Sequence, residues 1–373
     1  MSPKSHGLIP VWGFGLIAKS SHPKIQVGER VYGYFAPTRY LLVCILPSDV
    51  NKFSVYVSRP HLPAGALNKM VFFIKSNYTV FPDRRPYNQI IRCSADPQYT
   101  PTSIGEDLTM LYRPLFWTSY WCEDWIHSSN YRSGVSHILI SSASSKTAFC
   151  LAYLIGKRIR SGGINKDTKI IGLTSKGNVD FTNRLELYDE VLDYDSFTFA
   201  HYLQGGQENR WLYVDVTGNA NLNKRIYAHF ASPYNGKLAA SITLGLTNLK
   251  PSSANNTAPK NLGTNPFNMT EDANNTLTST SSSPEEFFFM PEWLDIRRHQ
   301  IPILEIFRRQ NQAWKELMED CTGWVELERV YGAAGVEKAY RKLSREGLGP
   351  DKGLIWSLWD GDTTKLPATS SKL

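Results

Sequence analysis

Between Ser141 and Thr147 the chain reads SSASSKT: four serines, an alanine, a lysine and a threonine in succession. Hydroxyls and backbone amides gathered where a helix begins are chemistry for holding a phosphate. The first amides of a helix have no intrahelical acceptor and carry the positive end of its dipole. Thr174, Ser175, Lys176 and Asn178 form a second polar group, of hydroxyls, an amine and an amide, and Asp215-Val-Thr-Gly218 forms a third.

These groups can meet only if particular elements carry them. His137–Ser141 is a short apolar run that reads as a buried strand. From Thr147 to Arg158, Ala148, Leu151, Ala152 and Ile155 recur three or four apart, one face of a helix. Lys169–Leu173 is a second β-branched strand, and Glu190–Leu192 reads as the start of a third. Strand, tight turn, helix and strand make a βαβ unit, whose turn is where a phosphate meets a helix N-terminus. A dinucleotide fingerprint wants glycine at three places in that turn; here they carry Ser142, Ser145 and Ala148, the next smallest side chains. The second strand ends in Thr174-Ser175-Lys176, with no Asp or Glu to take a ribose 2′-hydroxyl. Hydroxyls and an amine at that place suit a 2′-phosphate, hence NADP(H) rather than NAD. Residues 135–185 hold eight basic residues against two acids, most of the chain's formal net charge of +7. An ordinary α/β crossover with a solvated basic face is the plain alternative.

Two other motifs overlap this stretch. SSASSKT has the Lys-Thr ending of a Walker A loop, but serines stand where that loop needs glycine. Tyr153 and Lys157 are spaced as in a short-chain dehydrogenase, yet residues 1–30 lack the glycine fingerprint which that fold places near its N-terminus. Tyr153 reads as a core residue on a buried helix and Lys157 as a solvated charge near its end.

A chain of 373 residues can bury two sizeable cores, and 42% hydrophobic and 12% aromatic content describes a folded protein. No apolar run reaches the ~18 residues of a membrane helix, and MSPKSHGLIPVWGF is not a signal peptide. Five cysteines, Cys44, Cys93, Cys122, Cys150 and Cys321, are odd in number and form no CxxC, so free thiols in a reducing cytoplasm are expected. The sequons at Asn77, Asn255, Asn268 and Asn274 are then unused. Basic residues form pairs rather than runs, which argues against nucleic acid as a partner.

Along the chain, residues 9–43 alternate like half-buried strands in three runs, IPVWGFGLIAKS, KIQVGERVYGYF and TRYLLV. Residues 45–101 are irregular. A helix is expected from about Glu106, with Leu108, Leu111, Leu115, Tyr120 and Trp121 on its apolar face beside Trp117 and Trp125. Arg210–Val216 and Lys237–Gly245 read as further strands, with helix signals in Arg225–Phe230 between them. Gly218 and Gly245 stand where backbone must approach a ligand closely, or are simple turn glycines. Residues 251–284, rich in Ser, Thr, Asn and Pro, read as a disordered insertion. Residues 301–346 look helical, with Leu304, Phe307, Trp314, Leu317, Val336, Ala339 and Leu343 suitably spaced, before a last strand in GLIWSLW.

In this order the pieces resemble the medium-chain dehydrogenase/reductase superfamily, in its quinone oxidoreductase-like branch. Pro10-Val-Trp-Gly13-Phe-Gly15 is similar to the strand leading into that family's barrel, and Val27-Gly28-Glu29-Arg30-Val31 to its V-G-D-R-V turn. ISSASSKTAFCLA stands at its glycine-rich turn, and LELYDEVLDYD is similar to its third nucleotide-domain strand. The resemblance implies an α/β fold: a Rossmann-type doubly wound parallel sheet plus a partial GroES-like β-barrel domain. It divides the chain into a barrel domain at 1–110, a Rossmann domain at 111–250, the insertion at 251–284, and at 285–373 the end of the Rossmann domain with a helical segment packing back on the first domain. It implies a zinc-independent NADP(H)-dependent reductase, with hydride passing to an enone, quinone or carbonyl-type small molecule.

In that frame Ser142, Ser144, Ser145, Lys146 and Thr147 would hold pyrophosphate. Thr174, Ser175, Lys176 and Asn178 would hold the 2′-phosphate, and Asp215 and Gly218 would line the nicotinamide side. Tyr40, Tyr87 and Tyr120 are the proton-donor candidates, with none nominated. No metal is expected, because Gly13-Phe14-Gly15 replaces the Gly-His-Glu of zinc members and there is no four-cysteine lobe. Family members carry several dozen residues before the segment matching Pro10, so a shortened chain, or a partner subunit covering the gap, is expected; a homodimer is one form of that. The second reading is a non-catalytic, reductase-like protein that binds nucleotide or a partner without turnover.

Overall fold

A computed structural model describes residues 10–45, 47–57, 86–203, 206–216, 218–244 and 285–361. The insertion expected at 251–284, Gly245 and the four sequons lie outside these residues.

The chain begins with an antiparallel sheet of β1 (Val11–Leu16), β2 (Arg30–Phe35), β3 (Ser54–Tyr56) and β4 (Gln89–Arg92), in the order β1-β2-β4-β3. It stands where a partial barrel was expected. Val31, Val55, Val57 and Ile90 make its small core. Trp12, Phe14, Tyr32 and Tyr34 form an aromatic layer, with Trp12 opposite Tyr34 and Phe14 opposite Tyr32. The third expected strand, TRYLLV, is irregular and leaves Leu42 93% exposed. Conversely, β3 and β4 arise in a stretch without strand periodicity; pairing of β4 with β2, and of β3 with β4, makes them strands.

Helix α1 (Ser103–Ser128) starts at Thr102, whose side chain accepts the Gly105 amide. Its first two turns carry two buried acids, Glu106 and Asp107. Glu106 accepts Arg30 Nε at 2.9 Å and the Tyr99 hydroxyl at 2.8 Å, and Asp107 accepts Arg329 Nε at 2.6 Å. Arg113, about two turns on from Glu106, pairs with Asp96 at 2.6 Å. Acids suit a helix N-terminus, and these three pairs fasten the antiparallel sheet and the C-terminal segment to α1.

After α1 comes a short left-handed turn, α2 (Asn130–Ser133), with four consecutive positive φ values. Then follow β5 (His137–Ser141), α3 (Lys146–Arg160), β6 (Lys169–Thr174), α4 (Val179–Arg184), β7 (Glu190–Asp193), β8 (Arg210–Asp215), α5 (Ala220–Phe230), β9 (Lys237–Leu244) and β10 (Glu285–Phe288). The six strands form one wholly parallel sheet in the order β10-β9-β8-β5-β6-β7. This is the Rossmann-type doubly wound arrangement: the winding reverses between β5 and β8, and a ligand crevice opens beyond the carboxyl ends of strands at such a reversal. All of β5 is buried, as a central parallel strand requires.

The expected face of α3 is fully buried at Ala148, Leu151, Ala152 and Ile155. Phe149, Cys150, Tyr153 and Leu154 are buried too, because α1 and α7 (Ile303–Asp320) cover a second face. Before α7 runs α6 (Met290–Gln300). Buried Tyr153 donates to Asp320 at 2.7 Å and Lys157 pairs with Glu316. This pair fastens α7 to α3, so Lys157 is an ion-pair partner and not a free solvated charge.

The C-terminal reading needs two corrections. Residues 301–346 are not continuously helical: β11 (Glu326–Tyr331) interrupts them, before α8 (Ala333–Glu346), and pairs in parallel with β12 (Lys352–Ser357). On α7 the buried side is Ile306, Trp314 and Leu317, while Leu304 is 78% and Phe307 52% exposed. Leu304 and Phe307 share the spacing of a buried stripe, but the helix is rotated so that Trp314 can donate to the Gln98 carbonyl at 3.1 Å.

Burial pushes the imidazoles of His127, His137 and His229 below their ordinary value of 6.5. Between those lowered values and about 6.5 the unfolded chain binds more protons, so stability rises with pH through that window and falls on acidification. The thermal midpoint at about pH 5.5 is therefore expected below that at about pH 7.5. An equal or higher midpoint at the acid end contradicts this.

Candidate functional site

The carboxyl ends of β5, β6 and β8 bring the three polar groups of the sequence to one edge. Ser142 leaves β5 at φ +54°, a left-handed conformation that costs a non-glycine residue about 1 kcal/mol. Its carbonyl accepts the Ser145 amide at 2.7 Å, closing the turn. Ser145 then caps α3, its hydroxyl accepting the Ala148 amide at 3.4 Å. That leaves the amides of Lys146 and Thr147 in the helix's first turn without an intrahelical acceptor. The Lys146 side chain reaches away to donate to the Lys352 carbonyl at 3.2 Å, and burial there holds its amine below the usual lysine range. The Thr147 carbonyl accepts the Ser119 hydroxyl at 2.7 Å, which ties α3 to α1.

Ser144 is buried and links the turn to β6: the Thr174 hydroxyl donates to Ser144 Oγ at 3.0 Å and the Asn178 amide at 3.1 Å. Thr174 is buried, whereas Ser175 and Lys176 are exposed beyond the end of β6. Asp193, opposite Thr174 in register, lies at the neighbouring strand end. It accepts the Asp195 and Ser196 amides and the Ser196 hydroxyl, and the charge of Lys176 acts on it in the same direction, lowering its pKa. An acid therefore does stand near this edge, supplied by β7 and not by β6.

On the other side of the reversal Asp215, fully buried, joins two loops. It accepts the Ser141 hydroxyl at 3.1 Å, the Gly218 amide at 2.9 Å and Asn223 Nδ2 at 2.7 Å. Ser141 Oγ in turn accepts the Val216 amide at 3.0 Å, and Tyr213 donates to Asn223 Oδ1 at 2.8 Å. Gly218 has φ +66°, which suits glycine. Asp215 thus shapes the backbone at the crevice by joining the end of β5, Gly218 and Asn223.

Four residues of this edge escaped the sequence reading. Tyr188 donates to the Ala143 carbonyl at 2.9 Å, and Tyr194 accepts the Ser142 amide at 3.1 Å. Gly172 on β6 lies against Ala143: a Cβ there would stand 2.8 Å from Ala143 Cβ and 3.0 Å from Tyr188 Cδ1. Asn223 is the fourth. Only Gly172 carried a signal, as a glycine inside a β-branched strand, which marks close approach of another backbone.

The three tyrosines considered as proton donors are not brought together. Tyr40 is 71% exposed and packs edge-on to Trp359, Tyr87 lies against Trp12 and Tyr34, and Tyr120 sits among Phe116, Trp117 and Trp121 on α1. Among the described residues no three His, Cys, Asp or Glu side chains gather as metal ligands, and no helix is long and apolar enough to cross a membrane.

The chain is similar in trace to several solved structures. The yhdH oxidoreductase from Salmonella enterica, in complex with NADP, is 9% identical with a TM-score of 0.42, covering 91% of this chain and 79% of that one. The quinone oxidoreductase from Coxiella burnetii is 12% identical with a TM-score of 0.43, covering 94% and 78%. CurA from Vibrio vulnificus, in complex with NADPH, is 11% identical with a TM-score of 0.42, covering 93% and 88%. No curated protein matches the chain. Residues 1–348 match the family model described as protein of unknown function (DUF2855), and the chain belongs to that family.

Proposed function

We propose that this chain is an NADP(H)-linked reductase of the zinc-independent, medium-chain type, acting on an enone, quinone or similarly polarised carbonyl compound. One juxtaposition carries the reading: the turn at Ser142–Thr147, the exposed Ser175 and Lys176, and the Asp215–Gly218 loop share one edge at the winding reversal. A dinucleotide lies along such an edge with its pyrophosphate on the first helix. The residues fit that ligand in three ways. The first-turn amides of α3 at Lys146 and Thr147 would receive pyrophosphate, with Ser142 and Ser145 at its border. Lys176, with Ser175, would meet the 2′-phosphate, on a strand end braced by Thr174, Ser144 and Asn178. The loop that Asp215 holds, ending at Gly218, would pass beside the nicotinamide. The bound cofactor supplies the hydride, and the protein supplies binding and orientation.

Lys176→Ala is expected to weaken NADPH binding about tenfold, the loss of one exposed charge-assisted contact, and NADH binding less than about twofold. Titration of nicotinamide fluorescence with the full chain reads both. Equal loss, or none, removes the 2′-phosphate assignment.

A second reading, a reductase-like protein without turnover, is favoured by one observation: Ser144, Thr174 and Asn178 bind one another, and the Ser142 amide is already taken. A flat NADPH titration of the wild-type chain supports that reading against the first.

A further inference from the structure

Tyr194 stands in an unusual place for a core tyrosine. It follows β7 directly, and its amide donates to the Thr174 carbonyl at 2.9 Å, continuing the ladder with β6. Its hydroxyl nevertheless accepts the amide of Ser142, which belongs to the turn after β5. In the order β5-β6-β7, β6 lies between them, and neighbouring strands are about 4.8 Å apart. The ring therefore spans the carboxyl end of β6 on the sheet face of Leu139, Ile171 and Leu173, against which it packs, and brings its oxygen to the serine turn. A nucleotide running from the first turn of α3 to Lys176 would pass that turn at the same end of the sheet. The amide that Tyr194 occupies belongs to the one residue between Ser141 and Thr147 at positive φ, in the turn that opens α3.

Resting on the reductase reading, we propose that Tyr194 is an internal competitor for the nucleotide. Its phenol oxygen takes the place of a phosphate oxygen on the Ser142 amide, and binding requires the side chain to swing off the turn. The affinity of this site is then set partly by the strength of one internal hydrogen bond. Tyr188 provides the control. It also grips the turn by one hydrogen bond, but it donates to a carbonyl, Ala143 O, so its removal frees no group that an anion could use.

The test compares wild type, Tyr194→Phe and Tyr188→Phe for binding of NADPH and of adenosine 2′,5′-bisphosphate, a probe that carries no nicotinamide. Removing one competing hydrogen bond of ordinary strength is expected to tighten binding about fivefold in Tyr194→Phe, and Tyr188→Phe is expected to show no gain. Unchanged or weaker binding by Tyr194→Phe overturns the proposal, the weaker result meaning that the phenol serves the ligand. An equal gain in both variants overturns it as well, since general loosening of the turn then accounts for the effect. Hydrogen exchange of the peptide covering Ser141–Ser145 separates this failure from failure of the reductase reading. Faster exchange in Tyr194→Phe, with no nucleotide bound by any of the three proteins, means that the contact is real and the nucleotide assignment wrong. Unchanged exchange means that the contact itself is absent.

Discussion

Asp215→Ala is expected to cost about 3 kcal/mol of folding stability, read as a lower urea midpoint at unchanged slope. The carboxylate is fully buried and, among the described residues, receives donors from Ser141, Gly218 and Asn223. Truncation leaves them facing a void, and buried donors without acceptors are expensive. Asp215→Asn should recover roughly half of the loss, because of how the donors divide. Two of them, Ser141 Oγ and Gly218 N, converge on Oδ1, which an asparagine oxygen can replace. The third, Asn223 Nδ2, meets Oδ2, where asparagine would present a second donor. Rotation of the Asn223 amide relieves that clash only by turning its nitrogen toward the Tyr213 hydroxyl. A loss below about 1 kcal/mol for the alanine variant would mean that the network is not closed in solution. Under the proposed function the same substitution frees the loop at Val216–Gly218 from the end of β5, so nucleotide binding should fall with it.

Gly172→Ala is expected to destabilise by about 2 kcal/mol through overpacking. The added methyl group would meet Ala143 Cβ at 2.8 Å and the Tyr188 ring at 3.0 and 3.2 Å. Neither neighbour yields easily. The Ala143 amide donates to the Leu173 carbonyl, its own carbonyl accepts Tyr188, and the half-buried Tyr188 packs against the core. The strain must therefore pass into the serine turn. A double-mutant cycle with Ala143→Gly isolates the effect, since removing Ala143 Cβ takes away the shortest contact. A coupling energy of about 1 kcal/mol or more in the rescuing direction is expected. Additive losses would show that the turn is free to retreat and that Gly172 is an incidental glycine.

Much of the central fold was legible because its signals are local. The apolar run His137–Ser141, the helical spacing of Ala148, Leu151, Ala152 and Ile155, and the β-branched run at Lys169–Leu173 identify β5, α3 and β6 to within a few residues. Even the cap at Ser145 belongs to the same seven-residue motif. Elements lacking local periodicity were misread. β11 reads as helix in the sequence because its partner β12 lies 26 residues away, and only that pairing makes it a strand. Leu304 and Phe307 read as inside and are exposed, because spacing identifies a stripe but does not say which way it turns.

The candidate site divides along the same line. That a small-residue, hydroxyl-rich turn opens a helix, and that β6 ends in Thr-Ser-Lys, is written in consecutive residues, because helix starts and strand ends depend on their immediate neighbours. What those groups bind depends on distance in space. Ser141 meets Asp215 across 74 positions, Ser144 meets Asn178 across 34, and Ser142 meets Tyr194 across 52. A hydroxyl near the ligand edge can face the ligand or face inward, and its sequence context is the same in both cases. Only packing of the parallel strands, which carries β7 past β6 and Tyr194 over the turn, decides between them.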